Sequence, residues 1–127
     1  MLTPPIKILI VEDEAIIALC LKMELKQAGY AVGPAAFTGE EAVIRAAEES
    51  PDVILMDIGL AGDINGIEAA QQIRARSNVP IIFMTGYQEG DLRERAQTVN
   101  PVGYFIKPVS IHNLKPVIDS VLTCGSE

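Results

Sequence analysis

The stretch Val53-Ile54-Leu55-Met56-Asp57 is four apolar residues that run straight into a carboxylate. An uninterrupted apolar run of this length reads as a strand buried on both faces, the pattern of a parallel sheet. The same design recurs on either side of it. Lys7-Ile8-Leu9-Ile10-Val11 stops at Glu12, Asp13 and Glu14; Ile81-Ile82-Phe83-Met84 stops at Thr85-Gly86; Gly103-Tyr104-Phe105-Ile106 stops at Lys107-Pro108. A weaker strand is expected over Ala31 to Ala36, where Gly33 and Pro34 interrupt the run and point to a sheet edge.

Helical patterns fill the intervals. Ile17, Leu21, Leu25 and Ala28 recur every three or four residues, and Gly29 closes that helix. Thr38 is placed to cap a second helix, with Glu41 three residues on and Ala42, Val43, Ala46 and Ala47 on its apolar face. Ile67, Ala70 and Ile73 mark a third, opened by an Asn65-Gly66 turn. Leu92, Ala96 and Val99 mark a weak fourth between Asp91 and Val99. Leu114, Val117 or Ile118, and Val121 mark a fifth; Pro116 sits inside that pattern, so the helix either begins near Asn113, with the proline in its first turn, or bends there. Alternating strands and helices of this kind build an α/β fold, a doubly wound, five-stranded parallel sheet with five helices.

Composition narrows the function. A chain of 127 residues with 49% apolar content is long enough for one domain with a true core. Residues 1–127 are therefore read as a single domain. Ten basic against seventeen acidic residues leave a net charge of −7, which argues against direct nucleic-acid binding. The longest apolar run, Ala15 to Leu21, is too short to cross a bilayer, and Met1 to Pro5 has no cationic segment ahead of an apolar one. Cys20 and Cys124 match no metal or redox spacing, and Cys20, among helix apolar residues, is expected in the core. The reading is a reduced, cytoplasmic domain.

In open parallel sheets ligands bind at the carboxyl ends of the strands. Here those ends carry Glu12, Asp13 and Asp57, with Thr85 and Lys107 beside them. Like charges a few ångströms apart repel by about 4 kcal/mol per pair at moderate effective dielectric, so three acids against one lysine call for a cation. All-oxygen ligands suit Mg²⁺ or Mn²⁺. Taken singly, Glu12 and Asp13 are as well explained as acids at the positive end of a helix. A lone Thr85 is more often a turn residue, and a lone Lys107 a solvated one. The set is what points to chemistry: a carboxylate nucleophile at Asp57, a metal on one side, a lysine and a hydroxyl on the others, which suits phosphoryl transfer.

The chain resembles the receiver domain of bacterial-type two-component response regulators. The matching segments are Ile8 to Glu14, Pro51 to Leu60, Asn65 to Glu68, Pro80 to Gly86 and Gly103 to Pro108, in order and at compatible spacings. The resemblance implies the flavodoxin-like strand order 2-1-3-4-5. It implies that Asp57 takes a phosphoryl group from a sensor histidine kinase or phosphotransfer protein. Mg²⁺ would be arranged by Glu12 (through water), Asp13, Asp57 and the Gly59 carbonyl. It further implies Thr85 and Lys107 on the phosphoryl oxygens, Tyr104 as the aromatic that responds, and a cis bond between Lys107 and Pro108. Such a domain catalyses only its own phosphorylation and dephosphorylation. Partner binding or homodimerisation is expected on the face of the fourth helix, fifth strand and fifth helix, with no membrane partner.

Some positions depart from the family pattern. Ala61 stands where proline is frequent, and the loop to Asn65 is one residue longer than usual. Gly59 has no side chain to shield a phosphoryl group, a part that Tyr87 would take from the other side. A haloacid-dehalogenase-type phosphatase wants a second aspartate two positions after the nucleophile, where Gly59 stands. The other alternative is a receiver-like binding module that is not phosphorylated; it leaves this full set of residues unexplained.

Overall fold

The computed structural model describes residues 4–60, 62–86 and 90–125. Five strands, β1 (Lys7–Val11), β2 (Ala31–Val32), β3 (Val53–Asp57), β4 (Ile81–Thr85) and β5 (Gly103–Ile106), alternate with five helices. The helices are α1 (Ala15–Gln27), α2 (Gly39–Glu49), α3 (Gly66–Arg74), α4 (Gly90–Gln97) and α5 (Ile111–Gly125). All strand pairs are parallel, in the order β2-β1-β3-β4-β5.

Side chains alternate across the sheet and divide the core into two layers. Leu9, Val11, Ile54, Met56, Ile81 and Phe83 pack with Ala42, Ile67, Ala70, Ile73 and Ala96, so α2, α3 and α4 cover one face. Ile8, Ile10, Val53, Leu55, Ile82 and Met84 pack with Ala18, Leu21, Leu25, Leu114, Ile118 and Val121, so α1 and α5 cover the other. Burial on both faces is why these strands are apolar throughout.

Local chemistry sets the ends of the elements. Thr38 Oγ1 accepts from Glu41 N at 3.0 Å, and Gly29 closes α1 with a φ of 103° that favours glycine. Asn65 acts as an N-cap rather than a simple turn. Its side chain accepts from Glu68 N, and Glu68 Oε1 accepts from Asn65 N, each at 2.9 Å. β2 is shorter than expected: after Val32 only Ala36 bridges back to Val11, because Pro34 has no N–H to continue the ladder. α5 starts at Ile111. The reason is Ser110, whose carbonyl accepts from Asn113 N and Leu114 N, so Pro116 lies inside the helix. Pro116 is exposed, where solvent serves the carbonyl that its missing N–H leaves unpaired. Cys20 is not in the core but exposed, because α1 turns Ala18, Leu21 and Leu25 inward and Cys20 falls between those rows. Ala61 and Tyr87 lie outside the described residues.

One contact fixes β3 against α3. A Cβ at Gly66 would lie 2.2 Å from the carbonyl oxygen of Asp57 and 2.8 Å from Ile58 Cα, while Gly66 N donates to Ile58 O at 2.9 Å. Only glycine fits so close an approach. Gly66→Ala is expected to lower stability by roughly 3 kcal/mol or more, since backbone on both sides must give. Urea unfolding checks this, and wild-type stability in that variant contradicts the packing described.

Candidate functional site

The aligned register of the sheet brings the sequence-selected residues to one edge. Val11 pairs with Met56, Asp57 with Met84, and Thr85 with Ile106. The ladder carries on past the strands: Ile58 N donates to Met84 O at 2.9 Å and Lys107 N to Thr85 O at 2.7 Å. Glu12, Asp57 and Thr85 are buried there, and Asp13 is half-buried.

Lys107 joins the acids. Its Nζ lies 2.6 Å from Glu12 Oε1 and 3.2 Å from Asp57 Oδ2. The other oxygens also have partners: Glu14 N donates to Glu12 Oε2 at 3.1 Å, and Gly59 N to Asp57 Oδ1 at 3.2 Å. Burial pushes the Glu12 carboxyl above its ordinary range, with the Lys107 and Glu14 hydrogen bonds opposing. Burial also works against charge on Lys107, but the Glu12 hydrogen bond and the Asp57 charge outweigh it and hold the ammonium protonated. Lys107 is thus the resident counter-charge of the cluster, not a solvated surface lysine.

One ligand oxygen from each of Glu12, Asp13 and Asp57 falls within 4.8 Å of the other two. Three oxygen donors so close, with one ammonium against three negative charges, fit a small hard cation. The Lys107–Pro108 peptide is cis.

Tyr104 stands on a rung with Phe83, two positions from the rung of Thr85 and Ile106, so these four side chains share the α4 face of the sheet. The half-buried Tyr104 ring lies 5.1 Å from the Arg93 guanidinium carbon. Sequence reasoning missed this pair, because nothing in the spacing of Arg93 marks it off from its charged neighbours. It also missed the outer side of α1. Ile16, Leu19 and Met23 are exposed there, and Ile16, Cys20, Lys107, Pro108 and Val109 line part of an apolar hollow of about 390 Å³. The signal was present: Ile16, Leu19 and Met23 repeat at helical spacing, out of phase with the buried row.

Fold and site together define a flavodoxin-like receiver. The chain belongs to the response regulator receiver domain family, whose model matches residues 8–119. It is 37% identical over 115 residues to the transcriptional regulatory protein PdtaR of Mycobacterium tuberculosis, covering 91% of this chain and 56% of that protein. It is 37% identical over 121 residues to the transcriptional regulatory protein ResD of Bacillus subtilis, covering 95% of this chain and 50% of that one. The chain therefore spans about half the length of these relatives. Among solved structures, the signal receiver domain of a modulated diguanylate cyclase from Desulfovibrio desulfuricans G20 superposes with a TM-score of 0.85 at 40% identity. That match covers 91% of this chain and 92% of that one. A CheY-like receiver domain protein from Methanospirillum hungatei JF-1 gives 0.82 at 27% identity, covering 94% and 98%. The chain is a receiver domain of phosphoacceptor signalling; neither the phosphatase reading nor the unphosphorylated binding module finds support in these likenesses.

Removing the resident cation tests the electrostatics. In metal-free buffer, Lys107→Ala is expected to cost about 2–4 kcal/mol of stability, because it strands the buried Glu12 carboxylate beside Asp57. Chemical denaturation measures it, and an unchanged midpoint contradicts the role given to Lys107.

Proposed function

We propose that Asp57 is the phosphoacceptor and that a sensor histidine kinase or phosphotransfer protein supplies the phosphoryl group from a phosphohistidine. The observation that carries this reading is the Lys107 ammonium 3.2 Å from Asp57 Oδ2, beside three acids whose ligand oxygens lie within 4.8 Å of one another. An Asp57 carboxylate oxygen attacks phosphorus. The P–O bond forms as the P–N bond to the imidazole breaks, and the imidazole leaves with the electron pair and takes up a proton. Lys107 neutralises charge on the phosphoryl oxygens, and the Thr85 hydroxyl donates to another of them.

Mg²⁺, or Mn²⁺ in its place, supplies further charge neutralisation when bound. We assign Asp13, Asp57 and the Gly59 main-chain carbonyl as its direct holders. Glu12 acts through water, as the family resemblance implies. Turnover is confined to the domain's own acceptor. Residues 1–127 act as one unit in the cytoplasm, and their partners are proteins rather than nucleic acid or membrane. Among the described residues, no helix is long and apolar enough to cross a membrane. Phosphorylation is read on the α4-β5-α5 face through Thr85 and Tyr104, where a homodimer or an output partner binds.

The exposed row on α1 serves the incoming phosphodonor. It borders the crevice, since Lys107 belongs both to the acid cluster and to the apolar hollow behind Ile16 and Cys20. A donor helix with an apolar seam fits such a row.

Acetyl phosphate with Mg²⁺ is expected to add one phosphoryl group, read by mass spectrometry, and Asp57→Asn to abolish it because an amide is a poor nucleophile. Undiminished labelling of that variant removes the assignment. Leu19→Asp is expected to slow transfer from a phosphorylated kinase roughly tenfold or more while acetyl phosphate labelling stays at the wild-type rate. Equal slowing of both reactions places the effect inside the domain and contradicts the docking role.

A further inference from the structure

Helix α4 is anchored beyond its C-terminal end. Beyond its C-terminal end, Arg74 Nε donates to Val99 O at 3.0 Å and Arg74 Nη1 to Val79 O at 2.7 Å, and Val99 is buried. The first residue of α4, Gly90, follows Thr85, the last residue of β4, by five positions in the chain. Between them the helix reads Gly90 to Gln97 and turns little apolar surface inward: Ala96 is buried and Leu92 packs against the core. Arg93 lies three residues before Ala96, on the same side of the helix, which aims its guanidinium along the sheet toward β5. There it meets the Tyr104 ring at 5.1 Å.

We propose that Arg93 is a positioning residue for Tyr104, restraining the ring in the unphosphorylated arrangement and coupling the N-terminal half of α4 to β5. This inference rests on the reading of Asp57 as phosphoacceptor and Tyr104 as the ring that responds. In the arrangement described, Lys107 contacts the Asp57 carboxylate itself. The ring's surroundings favour a restraint of this kind. Burial raises the Tyr104 phenol while the Arg93 charge opposes it, so the two groups interact across the gap. The guanidinium is exposed and the ring is half-buried, so the contact is weak enough to break when Thr85 draws the start of α4 inward. A cation–π contact at an exposed site of this kind corresponds to about a 2- to 5-fold bias between two ring positions. That is enough to tune a switch without locking it.

With three tyrosines and no tryptophan in the chain, ring-labelled tyrosine gives a readable spectrum. The test compares wild type, Arg93→Gln and Arg93→Lys, each with and without Mg²⁺ and beryllofluoride. In the unliganded Arg93→Gln protein the Tyr104 ring signals are expected to move part of the way toward their beryllofluoride-bound positions. Half-saturation by beryllofluoride should fall about 2- to 5-fold. Arg93→Lys should keep wild-type behaviour, because it restores the cation. In a Tyr104→Leu background the effect of Arg93→Gln on half-saturation should vanish. Unchanged ring signals and titration in Arg93→Gln overturn the proposal, as does an effect that persists without the ring. Failure of beryllofluoride to bind wild type, read at the Asp57 amide, overturns the phosphoacceptor reading and the proposal with it.

Discussion

Glu12 and Asp57 are both buried, at the ends of two adjacent strands, and one ammonium stands between them. Everything else at the site follows from the cost of that arrangement. Two carboxylates in a weakly screened crevice repel, and burial makes the charge on Glu12 costly without a cation. The fold supplies one from β5 by bringing Lys107 into line with Thr85, and backbone hydrogen bonds past the strand ends hold that alignment. Asp13, half in solvent, adds a third negative charge that Lys107 alone does not offset. The crevice is thus built with a standing deficit of positive charge, which fits the proposal that it takes a small hard cation.

The sheet makes this possible because it is parallel. Strands buried on both faces align their carboxyl ends on one edge, so residues far apart in sequence, Glu12 and Lys107 among them, arrive within hydrogen-bonding distance. The two core layers serve different ends. The α1–α5 layer borders the crevice with an exposed apolar row, while the α3–α4 layer carries Phe83, Tyr104 and Thr85 on one side of the sheet.

What was legible in the sequence was whatever depends on a run or a spacing. Val53 to Asp57 announced a buried strand ending in an acid, and Thr38 with Glu41 announced a helix start. Each follows from neighbours in the chain. Pro116 left the start of α5 open between a first-turn proline and a helix running past it, and the Ser110 carbonyl, not the proline, decides it. Cys20 was misjudged because α1 has apolar residues on two sides, and composition alone does not say which row faces the sheet. Asn65 was taken for a turn because Asn-Gly is a strong turn signal, although Glu68 three residues on gives the same capping-box spacing as Thr38 and Glu41. The Arg93–Tyr104 pair lay beyond reach for another reason: a contact between a helix and a strand leaves no periodic trace.

The close fit of Gly66 bears on how the molecule deforms. With the start of α3 seated against the Asp57 and Ile58 backbone, β3 has no slack on that flank. Gly86, after Thr85, stands with nothing within 4 Å of where a side chain would begin. Asp57 thus has a tightly seated flank at Gly66, while the β4 side leaves room beside Gly86. A charge placed on Asp57 is therefore expected to meet resistance at α3, so that any displacement falls on β4, α4 and β5 instead. The molecule is polarised as a machine before any ligand arrives, and the residue that polarises it carries no side chain at all.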